Sequence, residues 1–393
     1  MTIPYGRQNI SKSDIDSVVK VLKSDFITQG PVVNKFEEEI SNYTNSKYAV
    51  ASNSATSSLH IACLALGINK NDIVWTSAIS FVASANCALY CGAKIDFIDI
   101  DKDSFNISIH HLEKKLIKAK QKNELPKALI AVHMCGQSCD MKRIFQLSKK
   151  YNFKIIEDAS HAIGGSYMGN KIGSCRFSEI VVFSFHPVKV ITSGEGGIAT
   201  TNNKDLFLKM KSLVTHGITR DSNQIEISNP EPWYYEQQML GFNYRMTDIH
   251  AALGLNQLKR LDRFVEKRNL LASRYNSLLK DLPINVPKIS KKCKSAYHLY
   301  VIQLNKDMSN KRNQVFRFLR KHGIGVNLHY MPIYRQPYYK RSQYFKELFL
   351  PNSEDYFNAS ISIPIHTLLT AQEQKYIVKM IKFALIEANK NNS

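Results

Sequence analysis

The chain has 393 residues, 53 Lys and Arg against 33 Asp and Glu, a formal net charge of +20, and 44% hydrophobic and 22% charged residues. This is ordinary globular composition at a length that suits two or three domains, which excludes disordered, collagenous and low-complexity chains. No apolar run approaches the ~20 residues of a membrane helix, and the opening segment lacks the apolar stretch of a secretory leader.

Ser11-x-x-Asp14 is a capping signature, and Ile15, Val18, Val19 and Leu22 follow at helical spacing, predicting a helix over 11–26. A short helix follows Pro31, with Phe36, Ile40 and Tyr43 on one face. From Tyr48 onward strand and helix alternate. Strands are expected over 48–52, 73–76, 94–100, 128–133, 154–157 and 179–185, with helices such as 57–66 and 141–151 between them. That alternation implies an α/β fold with a mostly parallel sheet. A helical stretch over 247–282 stops at Pro283 and Pro287. After it come a strand over 297–304, a helix over 310–321, strands over 324–328 and 360–364, and a helix over 371–388. The expected division is a large domain over 1–250, a connecting helix over 251–282 and a small C-terminal α/β domain over 283–393.

Seven cysteines, an odd number with no compact disulfide framework, suit a cytoplasmic protein. The pairs Cys87/Cys91 and Cys135/Cys139 lack flanking histidines and read as small buried hydrophobes, so no metal is expected. Lys and Arg are scattered through amphipathic segments without a recognition motif. Such charge favours anionic small molecules, phosphates and nucleotide sugars among them, over nucleic acid.

Three features carry chemistry. Asn53-Ser54-Ala55-Thr56-Ser57-Ser58 joins a strand to an apolar helix, where free N–H groups and the helix dipole favour an anion; simple N-capping explains the same residues. Asp158 ends a buried strand, where ligands of open α/β sheets bind; it also suits a cap. Lys189 follows the apolar strand ending at Phe185 and precedes Ser193-Gly194-Glu195-Gly196-Gly197. Most lysines are solvated, but one in an apolar site has a lowered pKa and becomes a nucleophile. Together they match pyridoxal phosphate (PLP), which needs an anion cradle, a lysine for its aldehyde and a carboxylate for its pyridine nitrogen.

With those residues in place, the chain resembles the DegT/DnrJ/EryC1/StrS sugar aminotransferases over nearly its whole length. The resemblance runs through Tyr5, Thr28-Gln29-Gly30, the turn at 53–58, Asp158, the block 184–197, Gly241-Phe242-Asn243-Tyr244-Arg245-Met246 and His329-Tyr330-x-Pro332. His186 and Ala55, where many relatives have Asn and Gly, and His161, where many have Gln, point to the branch serving pseudaminic acid biosynthesis. The resemblance implies the type I fold of PLP-dependent transferases and a homodimer with shared active sites. It implies L-glutamate as amino donor and a UDP-linked 4-keto sugar as acceptor. By the same resemblance Lys189 holds PLP and acts as acid and base, Asp158 pairs with the pyridine nitrogen, and His161 contacts the ring or its O3′. Ala55, Thr56 and Ser184 would meet the phosphate, and Asn243 would come from the neighbouring subunit. Tyr5, Asp25, Phe26, Ile27, Thr28, Asn327, Leu328, His329 and Tyr330 would line the sugar-nucleotide cleft. A transaminase or dehydratase for another nucleotide keto-sugar, and a non-catalytic nucleotide- or nucleic-acid-binding protein, remain the alternatives.

Overall fold

In a computed structural model describing residues 2–221 and 223–390, the apolar runs of the first half pair into one seven-stranded sheet. Its strands are β1 (Tyr48–Ser52), β2 (Ile73–Ser77), β3 (Lys94–Ile98), β4 (Ala128–Val132), β5 (Lys154–Asp158), β6 (Ile180–Ser184) and β7 (Gly197–Thr201). They lie in the order β1-β7-β6-β5-β4-β2-β3. β7 runs antiparallel to both neighbours, and the other pairs are parallel. The fold class is thus the expected α/β with a mostly parallel sheet. β7 is the strand that periodicity missed, because its glycine start reads as a continuation of the turn before it.

Nine helices flank this half: α1 (Lys12–Leu22), α2 (Pro31–Thr44), α3 (Ala55–Ala65), α4 (Ala83–Tyr90), α5 (Ile109–Lys122), α6 (Met141–Tyr151), α7 (Lys204–Val214), α8 (Asp248–Leu258) and α9 (Leu261–Leu279). Side chains alternate across the sheet with period two. Val50, Val74, Ile130, Ile156 and Val182 pack with α3, α4 and α7 on one face. Ala49, Ala51, Val181, Phe183 and Ile198 pack with α2, α8 and α9 on the other, where Trp75, Leu129 and Ile155 meet α5 and α6. Strands covered on both faces are continuous apolar runs.

Beyond α9 a second sheet forms from β8 (Ile284–Asn285), β9 (Tyr300–Leu304) and β10 (Ser360–Ile363), antiparallel in that order. It is accompanied by α10 (Arg312–Lys321), α11 (Gln343–Glu347), α12 (Pro351–Ala359) and α13 (Ala371–Lys390). Its core joins Ile302, Val315, Leu319, Ile361, Ile377 and Ile381 to Leu271 and Tyr275 of α9.

Two departures from expectation stand out. The stretch over 247–282 is two helices broken at Lys259-Arg260, with Arg260 at φ −108° and ψ 2°. The break turns the Arg260 guanidinium onto Asp14, a fully buried carboxylate that also accepts from Asn256 (2.7 Å) and Gln257 (2.9 Å). The expected strand over 324–328 is reduced to single bridges, Ile324 to Ile3 and Asn327 to Ser362. The N-terminal segment runs there instead: Gly325 N–H donates to the Ile3 carbonyl (2.7 Å), and Ile365 N–H donates to the Tyr5 carbonyl (3.1 Å). Ile3 accordingly packs in the C-terminal core. We propose a division into a large domain, a helical connection and a small domain, with the first residues laid on the small one.

Arg268 of α9 fastens the two parts. It is almost fully buried, and its Nη1 donates to the carbonyls of Tyr297 (3.1 Å), His298 (3.3 Å) and Ile365 (3.1 Å).

Burial pushes the Asp14 carboxyl up, but hydrogen bonds from Ser11 and Asn256 and the Arg260 charge outweigh it and leave it below the usual range. A carboxyl lowered on folding contributes stability above its unfolded pKa and loses it as pH falls through the folded value. Arg260→Ala is expected to cost about 3 kcal/mol by uncovering a buried charge. Urea unfolding at neutral pH measures this; an unchanged midpoint would contradict it.

Candidate active site

The chemistry-bearing residues gather at the carboxyl ends of the parallel strands, the ligand side of an open α/β sheet. β1 runs into Asn53 and Ser54, and Ser54 caps α3 by accepting from Ser57 N–H at 3.1 Å. The next N–H groups, those of Ala55 and Thr56, lie in the first turn and lack intrahelical acceptors. β7 passes close behind. A Cβ on Gly197 would sit 2.5 Å from the Ala55 nitrogen, so only glycine permits this approach. Beyond β6 the chain makes a turn closed by Lys189 N–H to His186 O (2.9 Å) and Ser193 N–H to Phe185 O (3.0 Å). Val190 and Ile191 are buried beneath it, and Lys189 is held over the strand ends.

A cleft of about 810 Å³ opens here. Ala55, Thr56, Asp158, His161, Ser184 and Lys189 form its large-domain wall, and Tyr5, Asn327, Leu328, His329 and Tyr330 its opposite wall. Lys189 is half-buried. Desolvation pushes its amine down to about 8, against the pull of the Asp158 carboxylate. Asp158 is 5% exposed and accepts from the Ser84 hydroxyl (2.6 Å), the Ser160 hydroxyl (2.6 Å) and the Ser160 N–H (3.1 Å).

Histidines line the floor. His161 stands 4.4 Å from His298, ring centre to ring centre, and its Nε2 is 3.3 Å from the Tyr330 hydroxyl. Burial, then the charge of Lys189, holds His161 well below the usual imidazole range; burial and His161 do the same to His298. His329, bonded through Nδ1 to Ser362 Oγ at 2.8 Å, is pushed down to about 4 by burial and Lys189. The cleft thus sets three neutral imidazoles, His161, His298 and His329, around the Lys189 amine and the Asp158 carboxylate, with Glu195 also on its lining. Nδ1 of His161 is buried and has no hydrogen-bond partner among the described residues.

Two groups of expected residues are not in this cleft. Asp25, Phe26, Ile27 and Thr28 are exposed. They are fastened to the start of α8 by the Thr28–Thr247 bridge and by Asp248, which accepts from Gly30 N–H (2.7 Å) and Val32 N–H (2.8 Å). Asn243 is exposed too, paired with Thr215 just before α8. Both segments therefore face outward on neighbouring backbone. Other residues at the site carried no signal in the sequence. Phe81 is 57% exposed on the cleft wall, an unusual position for phenylalanine. His298 looks like an ordinary strand residue, and Ser84 is one of many small residues on α4.

The family profile of the DegT/DnrJ/EryC1/StrS aminotransferases matches residues 8–382. The chain belongs to this family. It is 41% identical over 390 residues to the UDP-4-amino-4,6-dideoxy-N-acetyl-beta-L-altrosamine transaminase of Campylobacter jejuni subsp. jejuni serotype O:23/36, covering 98% of each chain. Helicobacter pylori PseC, an aminotransferase of pseudoaminic acid biosynthesis, superimposes with a TM-score of 0.90 at 32% identity, over 98% of this chain and 100% of the other. The PLP form of the sugar aminotransferase Spr1654 from Streptococcus pneumoniae gives 0.87 at 28% identity, over 99% and 100%.

This aminotransferase uses PLP, and its cleft fits that group. The helix start suits a phosphate, the lowered amine suits an aldehyde, and the buried carboxylate suits a ring N–H. The unpartnered His161 Nδ1 awaits a polar group.

A lysine at about 8 holds a few hundred times more neutral amine at pH 7 than an ordinary lysine. Uptake of PLP by the apoprotein is expected to quicken about tenfold per pH unit up to pH ~8 and then level off. A stopped-flow rate still climbing at about pH 10 would mean an unperturbed lysine.

Proposed function

We propose that this aminotransferase moves the amino group of L-glutamate to C4 of a UDP-linked 4-keto-6-deoxy-N-acetylhexosamine, in pseudaminic acid biosynthesis. The observation that carries the reading is one cleft holding Lys189, Asp158 and the α3 N-terminus, in a chain 41% identical along its length to an altrosamine transaminase. Seven unpaired thiols among the described residues suit an enzyme of the cytoplasm.

PLP, when bound, supplies an aldehyde for amines and an electron-withdrawing ring. Ala55 and Thr56, with the Ser184 hydroxyl, hold its phosphate at the helix start. Asp158 keeps the proton on the pyridine nitrogen, because a fixed carboxylate favours the charged ring. Lys189 Nζ would take the proton from Cα of the bound glutamate. In the second half Lys189 Nζ delivers a proton to C4 of the sugar. Neutral His161 offers a ring N–H to the phenolic oxygen. Tyr5, Asn327, Leu328, His329 and Tyr330 orient the sugar nucleotide from the small-domain side.

The outward-facing segments fit a homodimer. Phe26, Ile27, Met239 and Leu240 are exposed beside Thr28 and Asn243, and exposed apolar surface of this kind marks an interface. In a two-fold dimer Asn243 and the 25–28 segment complete the partner's cleft.

Lys189→Ala is expected to lower turnover at least about 10³-fold, and borohydride to fix the cofactor on Lys189 in the native protein. A peptide map that finds the adduct on another lysine overturns the assignment. Incubation with glutamate and a panel of UDP- and dTDP-linked 4-keto sugars tests the substrate; the UDP-linked N-acetylhexosamine should react fastest, and a preference for another sugar rejects it. Mixing Lys189→Ala with an equally inactive Asn243→Ala chain should restore activity to about a quarter of all sites, since half the dimers are mixed and each has one intact site. Confirmed heterodimers without activity would place Asn243 in its own subunit's machinery.

A further inference from the structure

A carboxylate offers four acceptor positions. On Asp158, Oδ1 accepts from the Ser160 N–H (3.1 Å) and the Ser160 hydroxyl (2.6 Å), and Oδ2 accepts from the Ser84 hydroxyl (2.6 Å). Three positions are filled and one remains, on a residue that lines the cleft. Ser84 is fully buried on α4 and does not reach the cleft. Its single proton points at Asp158, so its 2.7 Å contact with Ser80 has one direction: Ser80 donates and Ser84 accepts. Ser80 lines the cleft and is 3% exposed. A hydroxyl chain therefore runs from Ser80 through Ser84 into the carboxylate, each bond polarising the next.

We propose that Ser84 is a positioning residue for transamination: backed by Ser80, it holds the Asp158 carboxylate ionised and oriented, with one acceptor position left for the pyridine nitrogen. The inference rests on the reading of Asp158 given above. Donors aimed at a carboxylate favour its charged form. Without the Ser84 hydroxyl the proton between carboxylate and ring moves toward the carboxylate, and the ring loses the charge that draws electrons. Ser84 acts wholly through Asp158. A buried hydroxyl there is otherwise hard to explain, since the surrounding face of α4 packs Ala85, Cys87 and Ala88 into an apolar core.

The test uses holoenzyme loaded with PLP labelled with ¹⁵N in the ring. The ring resonance should lie at the pyridinium position in wild type and at the neutral position in Asp158→Asn. In Ser84→Ala it should move from the first toward the second, and Ser84→Thr should restore it. The glutamate half-reaction of Ser84→Ala should slow by about tenfold or more with KM for glutamate unchanged. A Ser84→Ala resonance identical to wild type overturns the proposal, as does a Ser84→Thr protein that behaves like Ser84→Ala, which would mean packing rather than the hydroxyl. If Ser84→Ala holds no cofactor, Ser80→Ala carries the test: a smaller shift in the same direction is expected, and none refutes the chain. Failure of the underlying reading looks different. In that case Asp158→Asn itself leaves the ring resonance at the pyridinium position.

Discussion

A carboxylate removed from water at the end of β5 must be met by donors and by positive charge, and the cleft is organised around that requirement. Ser84 and Ser160 supply neutral donors to Asp158 from within the large domain. The remaining compensation comes from the amine of Lys189 and, when present, the cofactor ring. Desolvation acts in reverse on Lys189, whose amine is lowered by burial. Burial thus gives an amine readily made neutral. It also keeps His161, His298 and His329 uncharged, so that they do not compete with Lys189 for the proton it must move.

The second wall depends on a different device. Tyr5 and Asn327 belong to segments far apart in the chain, yet both are tied to the small domain through Ile3, Gly325 and Ile365. Arg268 holds the carbonyls of Tyr297, His298 and Ile365 with one nitrogen. It has no acidic partner in those contacts, and burial pushes it down to about 10. Arg268 thus links α9 to His298 on the floor and, through Ile365, to the segment that carries Tyr5.

Much of this was legible in the residues. The parallel strands are buried on both faces, so their apolar runs stood out, and the turns at 53–58 and 186–197 announced themselves by small residues beside a charge. β7 did not, because its partners are set by the antiparallel ladders with β1 and β6, and only those pairings distinguish Gly197 from the turn before it. The break at Lys259-Arg260 did not either, since the amphipathic pattern runs through it and the ion pair formed there reaches Asp14, some 246 positions away in sequence. Residues 324–328 have strand composition, but the edge they present is occupied by the N-terminal segment.

The sequence by itself determined the α/β class and most of its elements, and singled out Lys189, Asp158 and the start of α3 as candidates, because those depend on periodicity and local turn chemistry. Only the tertiary structure decided what surrounds them. It put Ser84 on Asp158, set His298 against His161 with their rings tilted, and left Asn243 and the 25–28 segment outside the cleft of their own chain. These are contacts between segments distant in sequence, and their geometry follows from how helices pack on a twisted sheet, to which local propensity is blind.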